Sequence, residues 1–383
     1  MLFNLGYQSV ILLIIFLQLV LFSILLFVRG RDSKANIWLG VFILLSAFYI
    51  TPWMLGHAGW YAHDGYREFL FFMPFHQLFL FGPVIYFFTK RLTKSITHLS
   101  SKDVLHFIPA GLYMIYALVV FIYDVFLVDE FYFYADGQDK DLDLWYQIAG
   151  LISMLTYSVV CLRLYAGYKR HIFETVSYAD SLIANWLRNF LIVFIAILLF
   201  RTIFIVIFPE LGDWGMKWWF YVLFGLLAAY LAIAGYANSL RLSTLSFLKQ
   251  PELTEVSAPR VENTSSLNQE GVDEILKKIH RLFKNHSNFK DPELSLSQLA
   301  QSINTNTSIL SKAINSGSQM NFNDFVNSFR VEAVKESLKK GEHKTTTLVG
   351  IAMDCGFNSK STFIRSFKKQ TGMTPTEYVK SIS

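Results

Sequence analysis

A series of long apolar runs fills the first 240 residues of this chain and limits how it can fold. A membrane-spanning α-helix needs about 20 predominantly apolar residues, because the hydrocarbon core of a bilayer is about 30 Å thick. Only 16% of the residues are charged and 53% are hydrophobic, whereas about 25% are charged in an ordinary soluble domain. Runs of sufficient length occur at 8–28, 36–55, 69–89, 104–128, 144–166, 186–208 and 218–238. The sequence therefore predicts a bundle of seven transmembrane helices over residues 1–240.

The charges in the loops predict which way this bundle is oriented. Lys and Arg accumulate on the cytoplasmic side of membrane proteins. One alternating set of loops holds Arg29, Arg31, Lys34, Lys90, Arg91, Lys94, Lys102, Lys169 and Arg170, whereas the other set holds only Arg67, Lys140 and Lys217. We expect the N-terminus outside and the C-terminus in the cytoplasm, as in a multi-pass protein of the bacterial inner membrane. No positive charge precedes the first run, so we expect it to remain as an anchor rather than act as a cleaved signal peptide.

Three ionisable residues fall within the outer halves of predicted spans, at His76, Asp124 and Arg201. Ionisable side chains are costly in a bilayer, which makes these three candidates for a ligand site. The alternative is that they pair with neighbours and serve folding alone. Neither a metal site nor a cofactor site is predicted, and the two cysteines, Cys161 and Cys355, do not form a disulfide framework.

The remainder of the chain reads as a polar linker followed by a separate domain. The linker is predicted at 241–269; from about residue 248 to 270 the chain becomes rich in Pro, Ser, Thr, Asn and Glu, and as a flexible tether these roughly 22 residues reach about 25 Å. From residue 264 onward there are 16 Lys and Arg against 11 Asp and Glu. A basic surplus favours a polyanionic partner. The first helix predicted after the linker, at 270–287, is amphipathic and serves either as a packing helix of its own domain or as a dimerising stalk.

Two short helix pairs are predicted in the domain at 270–383. In the first, Ser295 begins a capping box and the Asn304–Thr305 break separates two helices, the second capped by Asn306. In the second, Thr347 and Ser359 cap the two helices, and Cys355-Gly356-Phe357 forms the turn between them. A long helix at 321–340 joins the pairs. Its length of about 30 Å is close to the 34 Å repeat of B-DNA, so two helix-turn-helix units are predicted to enter successive major grooves.

The stretch LVGIAMDCGFNSKSTFIRSFKKQTGMTPTEY resembles the second helix-turn-helix unit and closing helix of the AraC/XylS transcription regulators. The resemblance covers about 294–383, and the first unit matches more loosely. Where the family often has Gly before the long helix, this chain has Gln319, with Gly317 slightly earlier. The resemblance places base-facing side chains on the second helix of each pair, at Ser308, Ser311, Lys312, Lys360, Ser361, Thr362 and Arg365.

The chemistry of these residues agrees with that assignment. Lys and Arg donate to guanine O6 and N7, and Ser and Thr bond base edges or phosphates. Helix N-termini bind phosphate through their backbone N–H groups. Phosphate contacts are therefore expected at the helix starts after Asn306 and Ser359, and the positive charges of Lys368 and Lys369 add to the attraction for phosphate.

The fold class expected is all-α, with a seven-helix membrane bundle and an AraC-type domain of two helix-turn-helix units joined by a long helix. The expected function is that of a membrane-bound, one-component transcription regulator and not an enzyme. Its expected partners are double-stranded DNA, the lipid bilayer, RNA polymerase, a second copy in a homodimer, and an unknown small-molecule or membrane signal. The alternative is a transporter or receptor that carries the helix-turn-helix domain as a regulatory or protein-interaction appendage.

Overall fold

A computed structural model describes residues 4, 6–31, 33–93, 100–128, 143–183, 185–207, 214–247 and 269–382. Within these ranges the regular elements are helices, and one isolated β-bridge pairs Val176 with Ser295. The predicted all-α class is confirmed. The chain divides into two compact units, one made of Met1–Tyr165 and Asn185–Leu253, the other of Ala166–Ala184 and Thr254–Ser383.

The first nine helices extend from the N-terminal region to the predicted linker. They are α1 Tyr7–Val28, α2 Lys34–His57, α3 Asp64–Phe72, α4 Leu78–Leu92, α5 Ile108–Ile122, α6 Leu144–Thr175, α7 Ala179–Leu182, α8 Asn185–Ile207 and α9 Trp214–Phe247. A 3₁₀ segment, Ser101–Phe107, precedes α5, and a π-helical segment, Tyr123–Val128, follows it. Helix α9 continues seven residues into the stretch predicted as linker, and residues 248–268 lie outside the described part of the chain.

Six helices in the described residues are long and apolar enough to cross a membrane: Tyr7–Arg31, Lys34–His57, Ser101–Leu127, Leu144–Thr175, Asn185–Thr202 and Lys217–Ser239. The predicted third span, 69–89, is instead broken. Helix α3 ends at Phe72, and α4 begins at Leu78. Pro74 lies in the break; proline lacks the N–H that an uninterrupted helix requires. A single continuous helix over 69–89 was therefore a wrong prediction.

Helix α2 lies at the centre of the first unit. Its Phe42 ring packs edge-on against Phe81 of α4, with centroids 5.5 Å apart, and against Phe190 of α8, with centroids 5.8 Å apart. Two glycines allow close approach between helices: a Cβ on Gly82 would lie 2.3 Å from the ring of Tyr157. A Cβ on Gly235 would lie 2.2 Å from Leu39. The core of this unit is thus a tightly packed apolar bundle.

The C-terminal part of the second unit contains seven helices: α10 Gln269–His286, α11 Leu296–Ser302, α12 Thr307–Ser318, α13 Phe322–Lys339, α14 Leu348–Asp354, α15 Lys360–Thr371 and α16 Pro375–Ile382. Ile279 and Phe283 of α10 lie in the same core cluster as Leu310 and Ile314 of α12. A Cβ on Gly317 would lie 2.4 Å from Leu276. Helix α10 therefore packs within its own domain, which is one of the two roles that its periodicity allowed.

Candidate nucleic-acid interface

The first helix-turn-helix unit is formed by α11 and α12. The side chain of Ser295 accepts a hydrogen bond from the N–H of Gln298 at 3.3 Å, and the Gln298 side chain accepts from the N–H of Ser295 at 2.7 Å. Asn304 turns the chain with a φ of 53°. The side chain of Asn306 then accepts from the N–H of Ile309 at 2.7 Å. These local bonds satisfy amide groups at both helix starts and fix the direction of α12.

The second unit is formed by α14 and α15. Thr347 caps α14 by accepting from the N–H of Gly350 at 3.1 Å, and Ser359 caps α15 by accepting from the N–H of Thr362 at 3.1 Å. Gly356 in the intervening turn has a φ of 94°, and a Cβ there would lie 2.7 Å from both Cα and O of Lys290. The turn therefore requires glycine both for its backbone conformation and for its close approach to another loop.

Helix α13 joins the two units and belongs to both of their cores. The core of the first helix-turn-helix unit includes Phe322, Phe325 and Val326 of α13. The core of the second helix-turn-helix unit includes Val331, Val334 and Leu338. Its 18 residues correspond to about 27 Å at 1.5 Å per residue. Gln319, in place of the expected glycine, ends α12 with a φ of 54°. The left-handed position that the family pattern fills with glycine is thus present in this chain, but it is occupied by a residue with a side chain.

Most of the predicted base-facing and phosphate-facing side chains lie at the protein surface. On α12, Ser308 and Lys312 are exposed and Ser311 is partly buried. On α15, Lys360, Ser361, Arg365, Lys368 and Lys369 are exposed, whereas Thr362 is only 1% exposed. The capping residues Asn306 and Ser359 are exposed and partly buried respectively. Each recognition helix thus presents short polar and cationic groups together.

Three of these side chains already have partners within the same compact unit of the chain, 166–184 with 254–383. The Arg365 guanidinium forms a bidentate ion pair with the carboxylate of Asp180, and Thr362 Oγ1 donates to the same carboxylate at 3.0 Å. Lys369 Nζ lies 2.7 Å from a carboxylate oxygen of Asp324 at the start of α13. Asp180 is not among the site residues predicted from the sequence, because it lies about 180 residues before α15.

A buried polar cluster on α13 was also not predicted. Asn323, Asn327 and Arg330 are 0%, 0% and 1% exposed. Arg330 donates to the backbone oxygens of Phe289 at 2.7 Å and of Asp291 at 2.6 Å. Burial lowers the pKa of Arg330 from 12.5 to about 10, so the guanidinium remains charged near neutral pH. The three residues recur at i, i+4 and i+7, which is helical spacing; that polar stripe was the available signal.

In the N-terminal compact unit, 1–165 with 185–253, the structure brings two of the three predicted ligand residues to the same tyrosine. Arg201 Nη1 donates to Tyr49 Oη at 3.2 Å, and the His76 ring packs edge-on against the Tyr49 ring at 5.0 Å between centroids. Arg201 also donates to the side chain of Gln147. Asp124 is 1% exposed within Tyr123–Val128. His76 and Arg201 therefore belong to one polar cluster inside an otherwise apolar bundle.

Comparison with known proteins identifies the C-terminal domain. The helix-turn-helix domain family matches residues 299–381. Uncharacterised HTH-type transcriptional regulators of Staphylococcus aureus strains COL and MSSA476 are each 32% identical to this chain over 116 residues. The match covers 30% of this chain but only 14% of each relative. A solved structure of a protein of unknown function from Listeria innocua is 28% identical, with a TM-score of 0.25, over 28% of this chain and 98% of that one. Residues 299–381 therefore belong to the helix-turn-helix domain family, in its AraC-type form.

Proposed function

We propose that this chain is a membrane-bound, sequence-specific DNA-binding transcription regulator whose helical bundle senses a signal. The observation that carries the proposal is the pair of capped recognition helices, α12 and α15, within a domain that matches the helix-turn-helix family. The HTH-type relatives are named as transcriptional regulators, which supports the same role for this domain.

The surface chemistry supports base reading by α12 and α15. Lys312 and Lys360 are exposed cations that can donate to guanine O6 and N7 or to phosphate. Asn306 and Ser359 begin α12 and α15, and the N–H groups at a helix start can bind phosphate. The length of α13, about 27 Å, suits two reading helices spaced by about one turn of B-DNA.

The N-terminal compact unit has the surface expected of a protein in lipid. Large apolar side chains point outward along its long helices, including Ile14 at 61% exposed, Ile115 at 59% and Phe200 at 58%. Monomeric soluble proteins rarely expose apolar patches of that extent. These faces would contact acyl chains, and the protein would then be held in the cytoplasmic membrane.

A cytoplasmic position for the DNA-binding domain requires an odd number of crossings if the N-terminus is outside. We assign the seventh crossing to the broken pair α3 and α4. Helix α4 packs on α2 through Phe42 and Phe81 and ends beside Lys90 and Arg91, which fits a cytoplasmic end. Irregular backbone is tolerated at membrane depth where protein surrounds it.

The sensor part of the proposal concerns the polar cluster in the bundle. The cluster of His76, Tyr49 and Arg201 is the candidate receptor for a small-molecule or membrane signal. A signal acts by favouring one arrangement of the helices over another. Contact with RNA polymerase and assembly into a homodimer complete the proposed mode of action.

One structural feature favours the alternative of a transporter with a regulatory appendage. Transport folds use discontinuous helices at their substrate sites, and α3 and α4 are separated by such a break. Those folds carry breaks at corresponding positions of two halves, whereas α1, α2, α6 and α8 are each continuous. The regulator is therefore the better-supported function.

The deciding experiment is genome-wide DNA crosslinking of the tagged full-length chain with a Lys360→Ala/Arg365→Ala variant. Discrete peaks in the membrane fraction that disappear in the variant are expected. A Lys339→Ala/Lys340→Ala variant is the matched control, because it removes two exposed cations from the same domain and should keep the peaks. Absence of peaks for the wild-type chain under every growth condition tested would favour the transporter.

A further inference from the structure

The segment 166–184 connects two long helices of the first unit yet packs with the helix-turn-helix domain. The chain leaves the first unit after Tyr165 and returns to it at Asn185. Between these points lie the last turns of α6 and the short α7. The positive-inside pattern places this segment on the cytoplasmic side, with Lys169 and Arg170.

Hydrogen bonds from both backbone and side-chain groups hold the segment against the domain. The N–H of Ser177 donates to the backbone oxygen of Leu294 at 3.0 Å. Asn323 Nδ2 donates to the backbone oxygen of Ser177 at 2.8 Å, and Arg330 Nη2 donates to Ser177 Oγ at 2.9 Å. Ser177 is fully buried. The polar cluster on α13 therefore binds this one turn of the chain through specific hydrogen bonds.

The segment also has an apolar cluster of its own. Ile172, Val176 and Ala179 are 1%, 2% and 0% exposed and form a cluster with Tyr178. Close-packed apolar side chains beside satisfied backbone groups are typical of an ordered segment rather than a loose loop.

The docked segment also binds two of the predicted base-facing side chains of the second recognition helix. The Asp180 carboxylate binds Arg365 through two hydrogen bonds and accepts a third from Thr362. The side chain of Asp180 is 16% exposed and that of Arg365 is 51% exposed. The Arg365 guanidinium also lies over the ring of Phe173, 5.8 Å from its centroid.

A carboxylate offers the same pair of acceptors to a guanidinium as the O6 and N7 atoms of guanine. Arg365 cannot bind both at once with the same donors. The Thr362 hydroxyl, whose residue is 1% exposed, donates its proton to Asp180 and cannot donate it to a base at the same time. Docking of 166–184 and contact of Arg365 and Thr362 with DNA bases are thus mutually exclusive.

From these contacts we infer that segment 166–184 is an intrachain inhibitor of DNA binding, with Asp180 as the group that competes with DNA for Arg365 and Thr362. The inference rests on the proposed function, since it needs α15 to read DNA. Because the segment is covalently joined to α6 and α8, a signal that shifts the ends of these helices withdraws Asp180 and frees the second reading unit.

The test measures the affinity of the full-length chain in lipid nanodiscs for a duplex carrying its most enriched genomic site, with a scrambled duplex for comparison. Asp180→Asn should bind the site about tenfold more tightly than wild type, which corresponds to about 1.4 kcal/mol. Glu174→Gln removes the same charge from the same segment and should stay within about twofold of wild type, because charge alone contributes little at a partly exposed position. Adding Arg365→Ala to Asp180→Asn should abolish the gain.

A second measurement does not depend on any variant being stably folded. Saturating the wild-type chain with the site duplex should speed hydrogen exchange at the amides of 177–183, because DNA displaces the segment. Equal affinity of Asp180→Asn and wild type, or exchange in 177–183 that stays constant or slows when DNA binds, overturns the inhibitor while leaving the regulator intact. Failure of both wild type and Asp180→Asn to prefer the site over the scrambled duplex overturns the proposed function itself.

Discussion

The hydrogen bonds of the buried Arg330 guanidinium are the contacts whose loss should destabilise the helix-turn-helix domain most. Three of its hydrogen bonds measure 2.9 Å or less, to Phe289 O at 2.7 Å, Asp291 O at 2.6 Å and Ser177 Oγ at 2.9 Å. Bonds from a charged donor contribute about 1.5–3 kcal/mol each. Burial lowers the pKa of Arg330 to about 10, because removing the charged guanidinium from water costs free energy. This cost offsets part of the hydrogen-bond stabilisation, so the low end of the range per bond applies.

Arg330→Met should therefore reduce the free energy of unfolding of this domain by about 4 kcal/mol. The assay is native-state hydrogen exchange of the slowest amides in α13, in the full-length chain in nanodiscs. A loss of about 4 kcal/mol lowers their protection by about a thousandfold. Arg281→Met is the matched control, because Arg281 is exposed on α10 and should shift stability by less than about 0.5 kcal/mol.

The pH dependence provides a second check on Arg330. Its pKa in the folded state, about 10, lies below the ordinary 12.5. The unfolded chain therefore binds more protons than the folded chain only between these two values, and stability tied to this group rises with pH only there. The Arg330→Met penalty should be equal at pH 6 and pH 8. A penalty below about 1.4 kcal/mol, or tenfold in protection, would refute the role assigned to these bonds.

Three positions with positive φ give the remaining predictions, each measured as the free energy of unfolding of the same domain. Gly356→Ala should cost about 3 kcal/mol, because it combines a φ of 94° with a Cβ 2.7 Å from the Lys290 backbone. Gly372→Ala, at a φ of 75° with open space around it, should cost only about 1 kcal/mol, and equal losses at the two sites would exclude the steric contribution. Gln319→Gly should stabilise by about 1 kcal/mol, because it relieves a φ of 54°; no gain would mean that the Gln319 side chain offsets its backbone strain.

The helix-turn-helix units could be predicted closely because their signals are local. Capping at Ser295, Asn306, Thr347 and Ser359 depends on residues two or three positions apart, and the structure contains each of these caps. The break near Pro74 was harder to predict. Mean hydropathy over 69–89 is the same whether the run is one helix or two shorter ones, so only the proline marks the interruption.

The polar stripe of Asn323, Asn327 and Arg330 shows where sequence patterns become ambiguous. Polar residues at helical spacing usually mark a solvated face. In the folded domain this face is covered by the loop after α10 and by Ser177. A periodic pattern reports which residues share a face of a helix, but it cannot report what covers that face.

By itself the sequence determined the all-α class, the apolar character of the first 240 residues, the polar character of the rest, and the two helix-turn-helix pairs, because helix formation, capping and the length of apolar runs depend on residues close together in the chain. Only the tertiary structure decided that 166–184 joins the C-terminal unit, that α13 buries an arginine, and that Asp180 holds Arg365. Asp180 and Arg365 are 185 residues apart in the chain, and Ser177 and Arg330 are 153 apart. Their contact follows from how whole helices pack, where shape and satisfied hydrogen bonds select one arrangement among many that the same local patterns permit.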